Sequence, residues 1–396
     1  MKRILIAVCI LIFVLSSCKP QTEDSTNYFS SCGIWLSYYE VGDMLKSSKG
    51  LQNELDDVIK NCKEIGVEEV YIHVRSHCDS VFLSDYFPLN DNAKIYDYDV
   101  FEYMISKFHD NYIKVHAWIN PYRVSTESED INLLNKESPA YKWLTDDLPD
   151  NDTNVCLSNG IYLNPASEEV QLLIINGVKE IAEKYDVDGV VFDDYFYPTT
   201  DRNFDAMSYE SYKSITQKPL TLEDWRRTNV NLLISGCYNA IRNKNKNIAF
   251  SVSPSHSIDR NYNEFYADVK YWVENGVVDK IIPQIYFGFE YPEKEYRFDK
   301  LLESWKKLVD DCKVELLISL PAYKIGTDSK ADTEEWNKET DILSRQAEIC
   351  FKDEKIDGFI FFSYSSVFSQ GDLNTKQRNN IKDTMRSFKL AGNGNG

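Results

Sequence analysis

Eight short segments rich in β-branched and aromatic residues, most of them separated by amphipathic helical stretches, constrain this chain more than any other feature. They fall at 33–38, 69–75, 114–120, 188–193, 248–253, 280–286, 315–320 and 358–364. The helical stretches repeat their apolar residues at helical spacing. Leu51, Leu55, Val58, Ile59 and Cys62 share one face, as do Val230, Leu233, Ile234, Cys237 and Ile241, and again Leu301, Leu302, Trp305, Leu308 and Cys312. Strands alternating with helices specify parallel βα units, and a near-continuous apolar strand such as 280–286 is one buried on both faces. The count of eight predicts a single (β/α)8 TIM barrel. A doubly wound open sheet is the alternative, but no GxGxxG or phosphate-binding loop follows the first strand. At about 150 residues per domain, 396 residues suggest two or three domains. The strand count replaces that expectation with one barrel over 32–365.

Two connections are longer than a barrel needs: 124–162 after the third strand and 195–221 after the fourth. Both follow strand C-termini, the face on which barrel enzymes build their sites.

The ends of the chain read differently. Lys2 and Arg3 precede an apolar run over 4–15 that is too short to span a bilayer and suits the core of an export signal. The run ends in Leu15-Ser16-Ser17-Cys18, which resembles the bacterial lipobox. We therefore expect a signal peptide over 1–17, lipidation at Cys18 with a membrane anchor in the cell envelope, and a polar tether over 18–31. Beyond the barrel, 366–396 is expected to hold one amphipathic stretch at 381–388 and a disordered tail from Ala391. Removing Cys9 and Cys18 from the nine cysteines leaves seven, which cannot all pair and show no metal-ligand spacing. They read as small buried hydrophobes. The net charge of −19 repels nucleic acid and excludes it as a partner.

Polar and aromatic residues cluster at the strand ends, which point into a barrel's mouth. The second strand ends His73-Val74-Arg75, with His77 and Asp79 following. The third reads His116-Ala117-Trp118-Ile119-Asn120, so that His116, Trp118 and Asn120 share one side, and continues through Pro121, Tyr122 and Arg123. The fourth ends Asp193-Asp194-Tyr195-Phe196-Tyr197, and the fifth and sixth carry Ser253 and Gln284-Ile285-Tyr286. Two carboxylates at the end of a buried apolar strand are costly if unpaired. They serve catalysis, or they pair with an arginine such as Arg75 or Arg123. Those arginines either satisfy the aspartates or clamp a substrate carboxylate. Trp118, Tyr195, Tyr197 and Tyr286 stack on sugars or line the core, and His73 and His116 read first as structural histidines.

These residues carry a resemblance. Arg75 with Asp79, the stretch His116 to Arg123, Leu163-Asn164-Pro165, the stretch Asp186 to Pro198, Ser251-Val252-Ser253-Pro254 and Pro283-Gln284-Ile285-Tyr286 resemble the bacterial family-10-like glycosyl hydrolases. That lipoprotein family includes hydrolases of peptide-free peptidoglycan strands. The resemblance implies a (β/α)8 barrel with a glycosidase-type site. No cofactor is expected, and no motif requires a metal, although the aspartate pair leaves room for a bound cation. It brings Asn164 and Tyr122 into the site beside Arg75, Asp79, His116, Trp118, Asn120, Arg123, Tyr195, Tyr197, Ser253, Gln284 and Tyr286 as glycan-binding candidates. The stretch Asp188 to Tyr195 is also similar to the fourth-strand motif of chitinase-type barrels, which need a glutamic acid where Tyr195 stands. The acid must therefore come from Asp193, Asp194 or another strand end, with Asp79, Asp259 and Glu290 as weaker partners. An N-acetylated substrate can supply its own nucleophile and needs only one protein acid. A lipid-anchored glycan-binding protein without activity is the competing expectation.

Overall fold

The computed structural model describes residues 31–325, 333–368 and 375–393. The expected export signal, Cys18 and all but the last residue of the tether lie outside them. Eleven strands occur among the described residues: β1 (Ser31–Leu36), β2 (Glu69–Arg75), β3 (Lys114–Ile119), β4 (Arg123–Ser125), β5 (Val155–Leu157), β6 (Ile161–Leu163), β7 (Gly189–Phe192), β8 (Ala249–Val252), β9 (Lys280–Ile281), β10 (Glu315–Leu320) and β11 (Gly358–Phe361). Eight of them, β1–β3 and β7–β11, close into a parallel barrel at the predicted positions. The connection after β3 folds β4, β5 and β6 into a small antiparallel sheet beside the mouth.

The sixth barrel strand is shorter than its apolar run. Pro283 has no N–H to give to a ladder, so the regular strand β9 ends at Ile281 and is continued by single contacts: Ile282 N donates to Val252 O, Ser319 N to Pro283 O, and Gln284 bridges Ser255 and Ser319. Trp35, Tyr71, Trp118, Val191, Ile282, Leu317 and Ile360 fill the barrel's interior as one cluster, with Phe362 against them. At the closed end glycines face large neighbours. A Cβ on Gly33 would lie 2.9 Å from the Tyr71 ring, and one on Gly189 would lie 2.2 Å from His116 Nδ1.

Two of the three marked helices bury the faces their periodicity marks, whereas the third, Phe298–Val309, buries Leu301, Leu302 and Trp305 but leaves Leu308 half-buried and ends before Cys312. In the helix Leu51–Ile65 that face is Leu51, Leu55, Val58, Ile59 and Cys62, and Gly66 closes the helix in the left-handed region at φ 76°. The helix Leu222–Lys244 starts where the Thr221 hydroxyl accepts from Asp224 N and buries Val230, Leu233, Ile234, Cys237 and Ile241. The last helix corrects the expected tail: it runs Thr375–Asn393, through Ala391, because Ile381, Met385 and Phe388 are buried at helical spacing and Phe388 stacks on Phe351 at 4.0 Å. Cys32, Cys62, Cys78, Cys156, Cys237, Cys312 and Cys350 are free thiols, all but Cys312 buried.

Candidate active site

Asp193 follows β7 directly, and parallel pairing sets Trp118 of β3 beside Val191, one inward step below it. The Trp118 indole Nε1 therefore reaches Asp193 Oδ2 and donates at 3.1 Å, while Tyr195 N donates to Oδ1 at 3.3 Å. Asp193 is 3% exposed. Its neighbour Asp194 is more open and accepts from Gln284 Nε2 at 3.2 Å through Oδ1. Gln284 is held by a second donation to Ser253 O at 3.0 Å.

Burial pushes the Asp193 carboxyl up to about 7. Arg123 pulls it down, the neighbouring Asp194 charge raises it, and Trp118 and Tyr195 N favour the charged form. Burial raises Asp194 as well, against Gln284 and the more distant Arg260 and Arg123. Two adjacent carboxyls in such surroundings do not both ionise readily, since burial and each other's charge raise them both.

The floor and walls are aromatic. Trp118 meets Trp35 edge-on at 4.8 Å and stacks on His73 at 3.7 Å. Trp35 Nε1 donates to Ser319 Oγ at 3.0 Å, which also meets the Tyr286 hydroxyl at 2.9 Å. Tyr286 stacks on Phe362 at 5.8 Å. Arg123 donates from Nε to Ser76 O at 2.9 Å, and its guanidinium lies over the rings of Tyr195 at 4.6 Å and Tyr38 at 5.7 Å. Tyr195 is 48% exposed, and its phenol, driven by burial and the two aspartates to about 12, stays protonated. It does not replace the acid missing at its position.

The structure thus brings Asp193, Asp194, Trp118, Arg123, Tyr195, Gln284 and Tyr286 together. Other expected residues lie elsewhere. His116 has the predicted orientation but sits one layer too deep: it stacks on Tyr71 at 4.4 Å and its Nε2 lies 3.2 Å from Glu69, the first residue of β2, at the closed end. Arg75 does not face the cavity. It is buried, donates to the carbonyls of Asn120 and Pro121 and covers the Phe87 ring at 4.4 Å, which fixes the turn after β3. Asn120 is sealed under the floor, where its Oδ1 meets His73 Nε2 at 2.9 Å. Ser253 bonds Ile282 O. Tyr122 is fully enclosed by core, and Tyr197 faces Tyr266, Phe204 and Arg226. Asn164 ties the two long connections by donating to Thr153 O at 2.7 Å and Ser208 Oγ at 2.9 Å. Asp79 accepts from Asn90 at 2.6 Å in a groove outside the carboxylate pair, and Asp259 and Glu290 are exposed on their loops. Trp35, Tyr38, Ser319 and Phe362 are additions; Trp35 follows from the same alternation that marked Trp118. Among the described residues no three His, Cys, Asp or Glu side chains converge on a metal position.

Comparison with known proteins places the chain in a family. The family model described as glycosyl hydrolase-like 10 matches residues 31–338. The chain belongs to that family. Within it, the glycosyl hydrolase YngK of Bacillus subtilis is 28% identical over 414 residues, covering 97% of this chain and 76% of the relative. The glycosyl hydrolase DigH of Escherichia coli K12 is 28% identical over 382 residues, covering 87% and 85%. Among solved structures, the glycoside hydrolase domain of PgaB (BpsB) from Bordetella bronchiseptica matches with a TM-score of 0.61 at 14% identity, over 90% of this chain and 99% of that one. An alpha-L-fucosidase from Paenibacillus thiaminolyticus gives 0.56 at 11% identity, over 92% and 50%. These likenesses show the barrel fold, and by family this glycosyl hydrolase-like 10 protein is a glycosidase.

Proposed function

We propose that the chain hydrolyses glycosidic bonds of an N-acetylated bacterial glycan, foremost the glycan strands of peptidoglycan, with Asp193 and Asp194 as its two working carboxyls. The observation that carries this reading is the pair itself, two adjacent carboxyls at the mouth, each held by N–H donors: Asp193 by Trp118 and Tyr195 N, Asp194 by Gln284. Their hydrogen bonds divide the roles. Both oxygens of Asp193 accept N–H bonds, which suits a carboxylate that holds a charge and orients a group. Asp194 accepts through Oδ1 and is the more open of the two, which suits the donor that protonates the departing sugar oxygen. Both come from one strand end, and among the described residues Asp79, Asp259 and Glu290 do not join them. That arrangement favours a substrate acetamide as the nucleophile, oriented by Asp193, over a second protein carboxylate on the opposite face. The aromatic floor supplies faces for the sugar ring, and Arg123 supplies a cation for a carboxylate-bearing sugar.

Release of reducing ends from peptide-free glycan strands by the wild type, Asp193→Asn and Asp194→Asn tests the reading; full activity in both variants overturns it. Binding without turnover in the wild type would establish a glycan-binding protein instead. We also propose that Cys18 anchors the protein to an envelope membrane, in keeping with the Leu15-Ser16-Ser17-Cys18 sequence. Among the described residues no helix is long and apolar enough to cross one. Cys18→Ala should move the protein from the membrane fraction to the soluble one.

A further inference from the structure

Beside the mouth, the loop after β2 and the connection after β3 enclose a groove of about 710 Å3, within the range of roughly 300–1,000 Å3 typical of small-molecule sites. It opens on the strand C-terminal face, as both of its walls follow strand ends. Its link to the carboxyl pair runs through aromatic contacts. His77 lines the groove and meets Tyr38 edge-on at 5.4 Å; Tyr38 in turn faces Arg123, which covers Tyr195 next to the pair.

We propose that this groove binds further sugar units of the glycan chain, so that the enzyme engages a polymer well beyond the bond it cleaves. The inference rests on the glycosidase reading of the mouth and adds to it a second binding region on one side. The lining has the mixture a sugar needs. Asn92 presents an amide that both donates and accepts, matching hydroxyl and acetamide groups. Leu134 gives an apolar wall for the C–H face of a ring, and Lys136 is an exposed ammonium for a sugar carboxylate. Asp79 is fixed in place by the Asn90 amide at 2.6 Å, and Asn90 is itself held by Asn92 N donating to its Oδ1 at 3.0 Å. The groove wall is therefore built before any sugar arrives, which lowers the ordering cost of binding.

Titration calorimetry on the Asp193→Asn protein, with the β-1,4-linked N-acetylglucosamine disaccharide and hexasaccharide as probes, reads the groove without turnover. The hexasaccharide should bind at least about tenfold tighter than the disaccharide, and adding Asn92→Ala with Leu134→Ala, which remove the amide and the apolar wall, should abolish that difference. Equal affinity for both lengths, a length effect unchanged by the double substitution, or binding of neither probe overturns the proposal. Failure of the glycosidase reading shows separately, as absence of reducing-end release from peptide-free glycan strands by the wild type.

Discussion

Replacing the Asp194 carboxyl by an amide keeps its shape and removes its proton, so it separates proton donation from every other contribution in the mouth. Asp194→Asn should lower kcat on a glycan by about 10²–10⁴, yet cost far less on a dinitrophenyl glycoside, whose leaving group needs no protonation. Asp193→Asn should impair both substrates, because the orienting carboxylate acts whatever the leaving group. Equal losses on both substrates for Asp194→Asn would transfer the acid role to another residue. The pH profile follows from the raised carboxyl of Asp193 at about 7. The two adjacent carboxyls titrate together, so the last proton leaves the pair rather than one residue; its loss removes the donor, and kcat/KM falls as pH rises through about 7. The Trp118 indole donates to the charged form of Asp193. Trp118→Phe should therefore raise the carboxyl further and move this alkaline limb to higher pH, and a limb that stays or moves down would contradict the assignment. Stability carries the same sign. The folded chain holds a proton that the unfolded chain has released between about pH 4 and 7, so stability declines with pH across that window, and Asp193→Asn should flatten the decline in a urea-midpoint series.

At the scale of strands, alternation reveals which face a residue takes but not its depth. His116 and Trp118 share a face, as their spacing says. Two residues are about 6.6 Å of strand, however, and that separates the closed end beside Glu69 from the floor beneath Asp193. Where the barrel opens depends on tilt and register among all eight strands, which no single segment encodes. The loop residues were harder still to read. Tyr122, Tyr197 and Asn164 lie outside any periodic element, and their directions are set by distant partners such as Arg226 and Ser208. Strand identity, helix faces and the Asp193–Asp194 pair were legible because they depend on local pattern. The closed end offers its own test. A methyl on Gly189 would lie 2.2 Å from His116 Nδ1, and His116 is pinned between Tyr71 and Glu69. Gly189→Ala should cost about 1–3 kcal/mol in urea unfolding. In combination with His116→Ala, which opens the space, the two losses should sum to less than their separate values; strict additivity would mean the close approach is relieved some other way.

The whole molecule sets the charge environment of a site whose own cations are few. A net charge of −19 surrounds a mouth in which Arg123 acts on both carboxyls, with Arg260 acting on Asp194. At long range the protein repels an anionic glycan, and only at contact do Arg123 and, in the groove, Lys136 attract it. Salt screens the two effects unequally. The Debye length shrinks from about 30 Å at 0.01 M to about 10 Å at 0.1 M ionic strength, which removes the diffuse repulsion while leaving short contacts in a partly buried site largely intact. For a carboxylate-bearing glycan, kcat/KM should therefore rise several-fold across that range, whereas for a neutral N-acetylglucosamine oligomer it should stay nearly constant. A fall with salt for the anionic glycan would mean that local cations dominate the approach as well as the contact, and that the acidic surface plays no part in selecting what reaches Asp193 and Asp194.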